Sequence, residues 1–238
     1  MSRGPLETSK TSPFVRVRAL RNRVGLTFVA CLSVLAGMTD AIGFLAVGDF
    51  ISFMSGNTTR LAVGIAQGDT QVILRLGFAV LAFVAGNALG VVFARWGGRR
   101  ALPLMLLISA LLCTAALLPL QSQVTVLLTA VLAMGMVNAA VEQVNGLQVG
   151  LTYVTGALSR FGRSLGRWIL GERRPNWHLQ AVPWTGMLAG AGAGAVAGAA
   201  LESQFGIRAL LFSAGLAAFL GLVSLKIPRS WQRDYMPR

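Results

Sequence analysis

Charged residues are scarce in this sequence, at 12% of 238 residues, whereas about 25% is usual in a soluble domain. Acidic side chains are the scarcest, since only 8 Asp and Glu face 21 Lys and Arg. Hydrophobic residues make up 55% of the chain, and its mean hydropathy is +0.66. So few charged side chains cannot cover a protein surface that faces water. The composition therefore predicts an all-α polytopic membrane protein.

Residues that build catalytic and metal sites are also few. The chain has two cysteines, Cys31 and Cys113, both inside apolar runs, and one histidine, His178. This pattern argues against a disulfide framework and a metal centre, and the sequence has no hydrolase, zincin or phosphate-loop motif. We therefore expect no enzyme activity and no cofactor. An intramembrane enzyme that pairs Asp40 with Glu142 is disfavoured, because their predicted depths differ.

The basic residues give a formal net charge of +13, which in a soluble protein would suggest a nucleic-acid partner. Here the arginines stand in short segments beside apolar runs, as in the cytoplasmic loops of membrane proteins. The sequence therefore predicts a lipid bilayer as partner and no nucleic acid.

Six apolar runs approach the ~20 residues that cross a hydrocarbon layer as a helix. They are residues 25–47, 72–94, 101–119, 124–144, 181–200 and 207–226. Two more apolar segments, 50–66 and 146–170, are interrupted by polar or basic residues. If neither crosses and the N-terminus is cytoplasmic, 18 of the 21 basic residues face the cytoplasm, as the positive-inside rule favours. We predict six transmembrane helices, cytoplasmic termini, and short broken or re-entrant segments at 50–66 and 146–158.

This topology divides the chain into three parts. Residues 1–23 are polar and basic, and we expect a disordered cytoplasmic tail. Residues 24–226 form a single transmembrane domain, and residues 227–238 form a second basic cytoplasmic tail.

The two halves of the membrane domain resemble each other in sequence. Short motifs recur in the same order: GMTDA (37–41) with GMVNA (135–139), SGNTTR (55–60) with TGALSR (155–160), and RAL at 100–102 with RAL at 208–210. The order predicts one repeat over about 25–120 and another over about 124–226. Three spans per half would place the second copy upside down, giving an inverted 3+3 repeat of the kind found in transporters.

Glycine recurs at every fourth residue in two of the predicted spans. Small residues at this spacing let helix backbones approach closely inside a membrane. We expect this packing role for Gly86, Gly90, Gly186, Gly190, Gly194 and Gly198, with Gly86 and Gly90 matching Gly190 and Gly194.

Polar residues inside the apolar runs form the candidate substrate site. A carboxylate at the depth of Asp40 is costly unless it pairs, protonates or faces water, so we expect it to face the interior within hydrogen-bonding reach of 55–60. Gly56 is expected to bend the backbone, and Arg60 to pair with Asp40 or receive an anion. A purely structural role stays open. The candidates are Asp40, Ser55, Gly56, Asn57, Thr58, Thr59 and Arg60, with Asn138, Glu142, Thr155 and Gly156 in the second copy.

The stretch GMTDAIGFLAVGDFISFMSGNTTRLAVGIAQGD resembles the YoaK-like family of bacterial multi-pass membrane proteins, a domain-of-unknown-function family. The residues that carry the resemblance are Gly37, Asp40, Ala41, Phe44, Phe50, Gly56 and Asn57, and Ser55 replaces the usual Thr. The resemblance implies a bacterial cytoplasmic (inner) membrane location and no particular activity.

Two functions remain in view. The first is a small-solute or ion transporter of the secondary type, with its polar site between the two repeats. The second is a non-transporting membrane scaffold or sensor whose polar motifs hold broken helices in place. The sequence identifies neither substrate nor coupling ion, and it leaves a homo-oligomer open.

Overall fold

The structure is a computed structural model that describes residues 13–119, 122–144, 147–148, 154–171 and 177–237. The helices in these residues are α1 (Pro13–Val47), α2 (Met54–Gln67), α3 (Thr70–Trp96), α4 (Ala101–Leu117), α5 (Gln123–Val137), α6 (Val154–Ile169), α7 (Trp177–Phe205), α8 (Leu210–Ser224) and α9 (Arg229–Tyr235). Between α5 and α6, β1 (Gln143–Val144) pairs antiparallel with β2 (Leu147–Gln148). The other regular elements of the described chain are helices.

Three stretches of the described chain are long and apolar enough to cross a membrane. They are Ala19–Val47 in α1, Thr70–Trp96 in α3 and the 40-residue stretch Thr185–Ser224. The last of these runs through α7 and α8, which a 3-10 turn at Gly206–Ala209 separates. The helices α4 and α5 are also apolar but shorter, at 17 and 15 residues. The protein is therefore an all-helical membrane protein.

The helices pack mainly in pairs. α1 lies along α7, α3 along α5 and α4 along α8, while α2 contacts α3 and α6 contacts α7. The buried core follows these pairs and includes Leu32 of α1, Ile108 of α4 and Leu127 of α5. α3 instead exposes large apolar side chains such as Leu81 and Val84. An exposed apolar face of this length is suited to contact with lipid.

Glycines make the closest contacts between α1 and α7. A Cβ added to Gly37 would overlap the backbone oxygen of Ala191, and one added to Gly194 would overlap that of Val34. At Gly198 the overlap is with the backbone oxygen of Met38, and at Gly190 it is with that of Ala30. Side chains at these positions would separate the two backbones. Gly186 is looser, since a Cβ there would meet the Ala30 Cβ at 3.8 Å, an ordinary contact.

The α3–α5 pair is built in the same way. A Cβ on Gly86 would overlap the backbone oxygen of Leu132, and one on Gly90 would lie 3.0 Å from the Cα of Met136. From the other side, a Cβ on Gly135 would lie 2.5 Å from the backbone oxygen of Phe83. The α1–α7 and α3–α5 pairs therefore each have glycines on both partners.

The structure corrects two of the predicted boundaries. α5 ends at Val137, so the span predicted to reach residue 144 is shorter and leads into the β1–β2 hairpin. α1 begins at Pro13, so residues 13–23 are helical and not a disordered tail. Proline suits the first turn of a helix, and residues 14–23 contain neither Pro nor Gly to interrupt it. Residues 1–12 lie outside the described residues.

The C-terminal segment is also folded, because α9 links several helix ends. Gln232 is buried; its Oε1 accepts a hydrogen bond from the Ala101 backbone N–H at 3.0 Å, and its Nε2 donates to the backbone oxygens of Ser224 and Ile227. The Tyr235 hydroxyl donates to the Arg21 backbone oxygen at 2.6 Å. Burial raises the pKa of Tyr235 to about 12, so this donor keeps its proton at physiological pH.

Candidate functional site

The chain between α1 and α2 turns back onto α1. α1 ends at Val47, and Gly48 follows with φ +82°, a left-handed conformation that glycine adopts without steric cost. Residues 48–53 form the turn, and α2 begins at Met54. The predicted break at SGNTTR is therefore wrong in position. The helix is interrupted before this string, and residues 55–60 lie inside α2.

Asp40 fixes this turn to α1. Its Oδ1 accepts hydrogen bonds from the backbone N–H groups of Ile51 (2.9 Å), Ser52 (2.6 Å) and Phe53 (3.2 Å). Its Oδ2 accepts from the Ser52 hydroxyl at 2.5 Å. Phe53 is the N-cap of α2 and supplies no side-chain cap, and the carboxylate binds its N–H group together with those of the two turn residues before it. The partners of Asp40 are thus residues 51–53 and not residues 55–60.

Asn57 closes the same turn from the side of α2. Its Nδ2 donates to the Phe50 backbone oxygen at 2.6 Å, and its Oδ1 accepts from the Phe50 backbone N–H at 3.2 Å. The side chain is fully buried, so both hydrogen bonds replace bonds to water that the fold removes. The amide therefore satisfies both backbone groups of one turn residue.

Gly56 provides room for aromatic rings. Phe50 stacks on Phe44 with ring centroids 4.9 Å apart, and Phe53 meets Phe50 edge to face at 5.2 Å. A Cβ on Gly56 would lie 2.7 Å from the Phe53 ring. Gly56 is helical rather than left-handed, so the expected backbone bend is wrong. The glycine is needed because the rings pack against the start of α2.

A second carboxylate, Asp49, lies in this turn and pairs with two arginines. Arg60 donates to Asp49 Oδ1 at 2.5 Å and also to the Gly48 backbone oxygen. Arg75 Nε of α3 lies 2.8 Å from Asp49 Oδ2 as an ion pair, without the alignment of a hydrogen bond. Asp49 is fully buried, whereas the side chains of Arg60 and Arg75 are 41% and 28% exposed. Arg60 therefore pairs with Asp49 and not with Asp40.

Sequence reasoning assigned no role to Asp49 or Arg75, although a signal was present. Arg60 and Arg75 are two of the three basic residues that the predicted topology leaves outside the cytoplasmic segments. Basic residues away from that side are unusual, so a nearby carboxylate was to be expected. Asp49 and Asp69 were the two acids near them in the sequence, and the fold pairs both arginines with Asp49.

The remaining candidates of the first copy are exposed. Ser55, Thr58 and Thr59 lie on the outer face of α2. The hydroxyls of Thr58 and Thr59 donate to backbone oxygens one turn earlier, at 2.8 Å and 3.0 Å. The structure brings Asp40 and Asn57 onto one turn and leaves these three hydroxyl residues apart from it.

The candidates of the second copy do not form an equivalent cluster in the described residues. Asn138 is the C-cap of α5, and the backbone N–H of Glu142 donates to the Tyr235 backbone oxygen at 2.8 Å. The Glu142 side chain is exposed. Gly156 is exposed in the first turns of α6, and the side chain of Thr155 lies outside the described residues.

The described residues contain no group of three His, Cys, Asp or Glu side chains that could hold a metal ion. The site has two carboxylates in different surroundings. Asp40 is held by neutral donors, and Asp49 is held by two guanidinium groups. These contacts fix the positions of two carboxylates and two guanidinium groups at the end of the α1 span.

Comparison with known proteins places the chain in a family. Residues 28–223 match the family described as "Protein of unknown function (DUF1275)". The chain is 49% identical over 221 residues to the UPF0700 transmembrane protein RA0705 of Rhizobium meliloti (strain 1021), covering 92% of this chain and 95% of the relative. No solved structure matches. The resemblance to an uncharacterised YoaK-like membrane family is thereby confirmed, and the chain belongs to the DUF1275 family of transmembrane proteins.

Proposed function

We propose that this protein is a secondary transporter for a small solute or ion, with six spans arranged as two inverted halves in the bacterial cytoplasmic membrane. The observation that carries the proposal is an exchange of helix contacts between the halves. If α1, α2, α3 and α4 are exchanged for α5, α6, α7 and α8, the α1–α7 contact becomes α5–α3, and the α2–α3 contact becomes α6–α7. The α4–α8 contact becomes itself. All of these contacts exist.

The correspondence extends to single residues. Gly37 lies against Ala191, and Gly135 lies against Phe83. The offset from Gly37 to Gly135 is 98 residues and that from Phe83 to Ala191 is 108 residues. A pseudo-two-fold axis between the halves would move α1 onto α5 and α3 onto α7 as rigid units. All residues of one such helix pair must then share a single offset, which is 98 for α1 and α5 and 108 for α3 and α7.

The same two offsets relate a second pair of contacts. Gly90 lies against Met136 and Gly198 against Met38; Met38 and Met136 are 98 residues apart, and Gly90 and Gly198 are 108 apart. The glycine alignment drawn from sequence, which matched Gly90 with Gly194, therefore differs by one helical turn from the alignment that these contacts favour. The RAL motifs already had the offset of 108.

Inverted repeats of this kind are a common plan of secondary transporters, whose sites lie where broken helices meet the repeat interface. The α1–α2 turn is the point at which the helix of the first half is interrupted. It combines a partly buried carboxylate, Asp40, with a paired Asp49 whose two arginines reach the surface. Partly exposed arginines beside a buried carboxylate offer an entering solute charged groups with which it can form strong hydrogen bonds.

The topology of this proposal is tested by labelling single cysteines in a background without Cys31 and Cys113. Gln67, Gln204, Lys226 and Ser230 are all exposed, so cysteines there should react wherever the reagent has access. We expect an impermeant thiol reagent to label residues 67 and 204 in intact cells, and residues 226 and 230 only after the membrane is opened. Labelling of residue 226 or 230 from outside would contradict the six-span arrangement.

Transport itself is tested with purified protein in proteoliposomes on a solid-supported membrane. The probes are pulses of inorganic ions, small carboxylates, phosphate and amines, each with and without a proton or sodium gradient. We expect at least one probe to give a current or uptake that liposomes without protein lack. The signal should be lost in Asp40→Asn and kept in Thr59→Val, whose hydroxyl bonds only its own helix. Flux equal to empty liposomes for every probe would count against a transporter.

One observation favours the second candidate, a scaffold or sensor. All four hydrogen bonds of Asp40 are to residues 51–53, so the carboxylate is satisfied without a ligand. In a scaffold, Asp40→Asn would leave every activity unchanged, because an amide oxygen can accept the same N–H groups. The Asp40→Asn comparison therefore separates the two candidates.

A further inference from the structure

Four arginines from two separate segments meet at one cleft, which we call the arginine cleft. Arg99 and Arg100 form the turn between α3 and α4, while Arg229 and Arg233 lie on α9. The cleft has a volume of about 320 Å³, and Trp96 completes one side of it. This site is remote in sequence from the α1–α2 turn, and its role does not depend on transport.

The positive charge of the cleft is not neutralised by the described residues. None of its four arginines forms an ion pair with a carboxylate in the part of the chain that the structure describes. The acid next to Arg233 in sequence, Asp234, pairs instead with Arg21 at 2.7 Å. Like charges that share one cleft repel each other, so an anion bound there would lower the energy of the arrangement.

The cleft is held in shape by the fold. Gln232 ties α9 to the first residue of α4 through the Ala101 N–H, and Arg229 and Arg233 of α9 line the same cleft as Arg99. Arg99 itself has φ +55° and follows Gly98 with φ +67°. A left-handed conformation is uncommon for a residue with a Cβ. A backbone hydrogen bond from the Arg99 N–H to the Ala94 oxygen, at 2.8 Å, holds Arg99 in this conformation.

The position of the cleft favours a lipid over a soluble anion. The ends of α3 and α8 and the start of α4 are where apolar helices stop, which is the depth of lipid headgroups. Trp96 is 84% exposed, as is typical of an indole at the membrane interface. Leu89 and Val92 are also exposed on the same face of α3, so an acyl chain below the headgroup would meet an apolar surface.

We propose that the arginine cleft binds the phosphate-bearing headgroup of an anionic phospholipid of the inner leaflet. Guanidinium groups match phosphate oxygens with paired, charge-assisted hydrogen bonds. Basic pockets between transmembrane helices bind acidic headgroups in the same way. The acyl chains lie along Leu89 and Val92 of α3, and the indole of Trp96 lies at the headgroup level.

The test is a titration of the full chain, purified in neutral detergent, with phosphatidylglycerol or phosphatidylcholine, followed by native mass spectrometry. Wild type is compared with Arg99→Gln/Arg229→Gln, which removes one cation from each side of the cleft. The matched control is Arg163→Gln/Arg167→Gln, which removes the same charge from the exposed face of α6. Every variant is first checked for a single symmetric peak on size exclusion.

We expect wild type and the α6 control to retain phosphatidylglycerol over phosphatidylcholine, and the cleft variant to bind phosphatidylglycerol about tenfold more weakly, since hydrogen bonds to charged groups are among the strongest in proteins. If the cleft variant and the control lose the same affinity for phosphatidylglycerol, the proposal is overturned, because the loss would then reflect net charge and not the cleft. If the double variant does not fold, Arg233→Gln alone is titrated with the same criterion. Thermal stabilisation by inorganic phosphate without lipid, together with displacement of phosphatidylglycerol by millimolar phosphate, would assign the cleft to a soluble anion and refute the lipid proposal.

Discussion

Asp40→Leu should prevent the accumulation of folded protein. The substitution removes the acceptor for three backbone N–H groups, those of Ile51, Ser52 and Phe53. An unpaired buried N–H costs about 1–3 kcal/mol, so the loss approaches the 5–15 kcal/mol that stabilises a typical protein. The readouts are the yield of monodisperse protein in detergent and its thermal unfolding, followed by tryptophan fluorescence.

Asp40→Asn is expected to fold, because the amide can reproduce the network. Its Oδ1 accepts the same three N–H groups, and its Nδ2 donates to the Ser52 hydroxyl, which then reverses its role. Thr39→Val is the control, since Thr39 is the neighbouring buried polar residue and bonds only to Leu35 of its own helix. Near-normal yield of Asp40→Leu would contradict the role of this carboxylate in fixing the turn.

The comparison of Leu and Asn at residue 40 also bears on function. A residue that only anchors the turn needs an acceptor and tolerates Asn, whereas a residue that carries a proton or a cation needs the ionisable group. The variant with normal yield is thus the one whose transport should be measured. Loss of folding in Asp40→Leu alone does not distinguish the two roles.

Gly194→Leu is expected to separate α1 from α7 and to abolish stable folding. A Cβ at this position would overlap the Val34 carbonyl oxygen and lie 2.9 Å from the Val34 Cα. Overpacking of a core costs about 1–3 kcal/mol where side chains can adjust, and the cost here is larger because the obstacle is backbone. Size-exclusion profile and thermal unfolding in detergent are the measurements.

Gly192→Leu provides a matched control on the same helix. Gly192 is exposed, and nothing lies within 4 Å of a Cβ added there. Both substitutions replace glycine by a better helix former, so only Gly194→Leu should lose the folded peak. If the halves are repeats, Gly86→Leu should behave like Gly194→Leu, since its Cβ would overlap the Leu132 carbonyl oxygen. Equal stability of Gly192→Leu and Gly194→Leu would refute the close approach of the helices.

Asp49 and its two arginines hold the same turn by ion pairs, in addition to the hydrogen bonds of Asp40. Arg60 comes from α2 and Arg75 from α3, so the ion pairs tie the turn to the neighbouring helix as well as to its own. One carboxylate facing two guanidinium groups leaves an excess of positive charge near the surface. An entering anion would find that charge at the mouth of the proposed site.

Composition alone determined the class of this protein. A chain with 12% charge and 55% hydrophobic residues has too little polar surface for water, so apolar helices had to be its main elements. The pattern of arginines and the recurrence of short motifs also led to the topology and repeat that we propose. The length of each run was less informative, because apolar residues such as Ala139 and Ala140 continue past the end of α5.

The sequence singled out Asp40, Asn57 and Arg60, but not Asp49 or Arg75, and it did not predict which residues bond to which. Asp40 stood out because an ionisable side chain within an apolar span is costly. Its bonds to residues 51–53, and the pairing of Arg60 with Asp49, depend on where the turn after Gly48 directs the chain. That direction depends on contacts across the turn, namely the aromatic rings against Gly56 and the hydrogen bonds of Asp40 and Asn57.

The arginine cleft depended on tertiary structure entirely. Its two pairs of arginines are more than 100 residues apart, and along the sequence each pair is simply a basic segment that follows an apolar run. Gln232 joins them by capping the first residue of α4, a contact between the last helix and the middle of the chain. Sequence determined which residues would be cationic and near the membrane surface, and only the fold decided that they face one another.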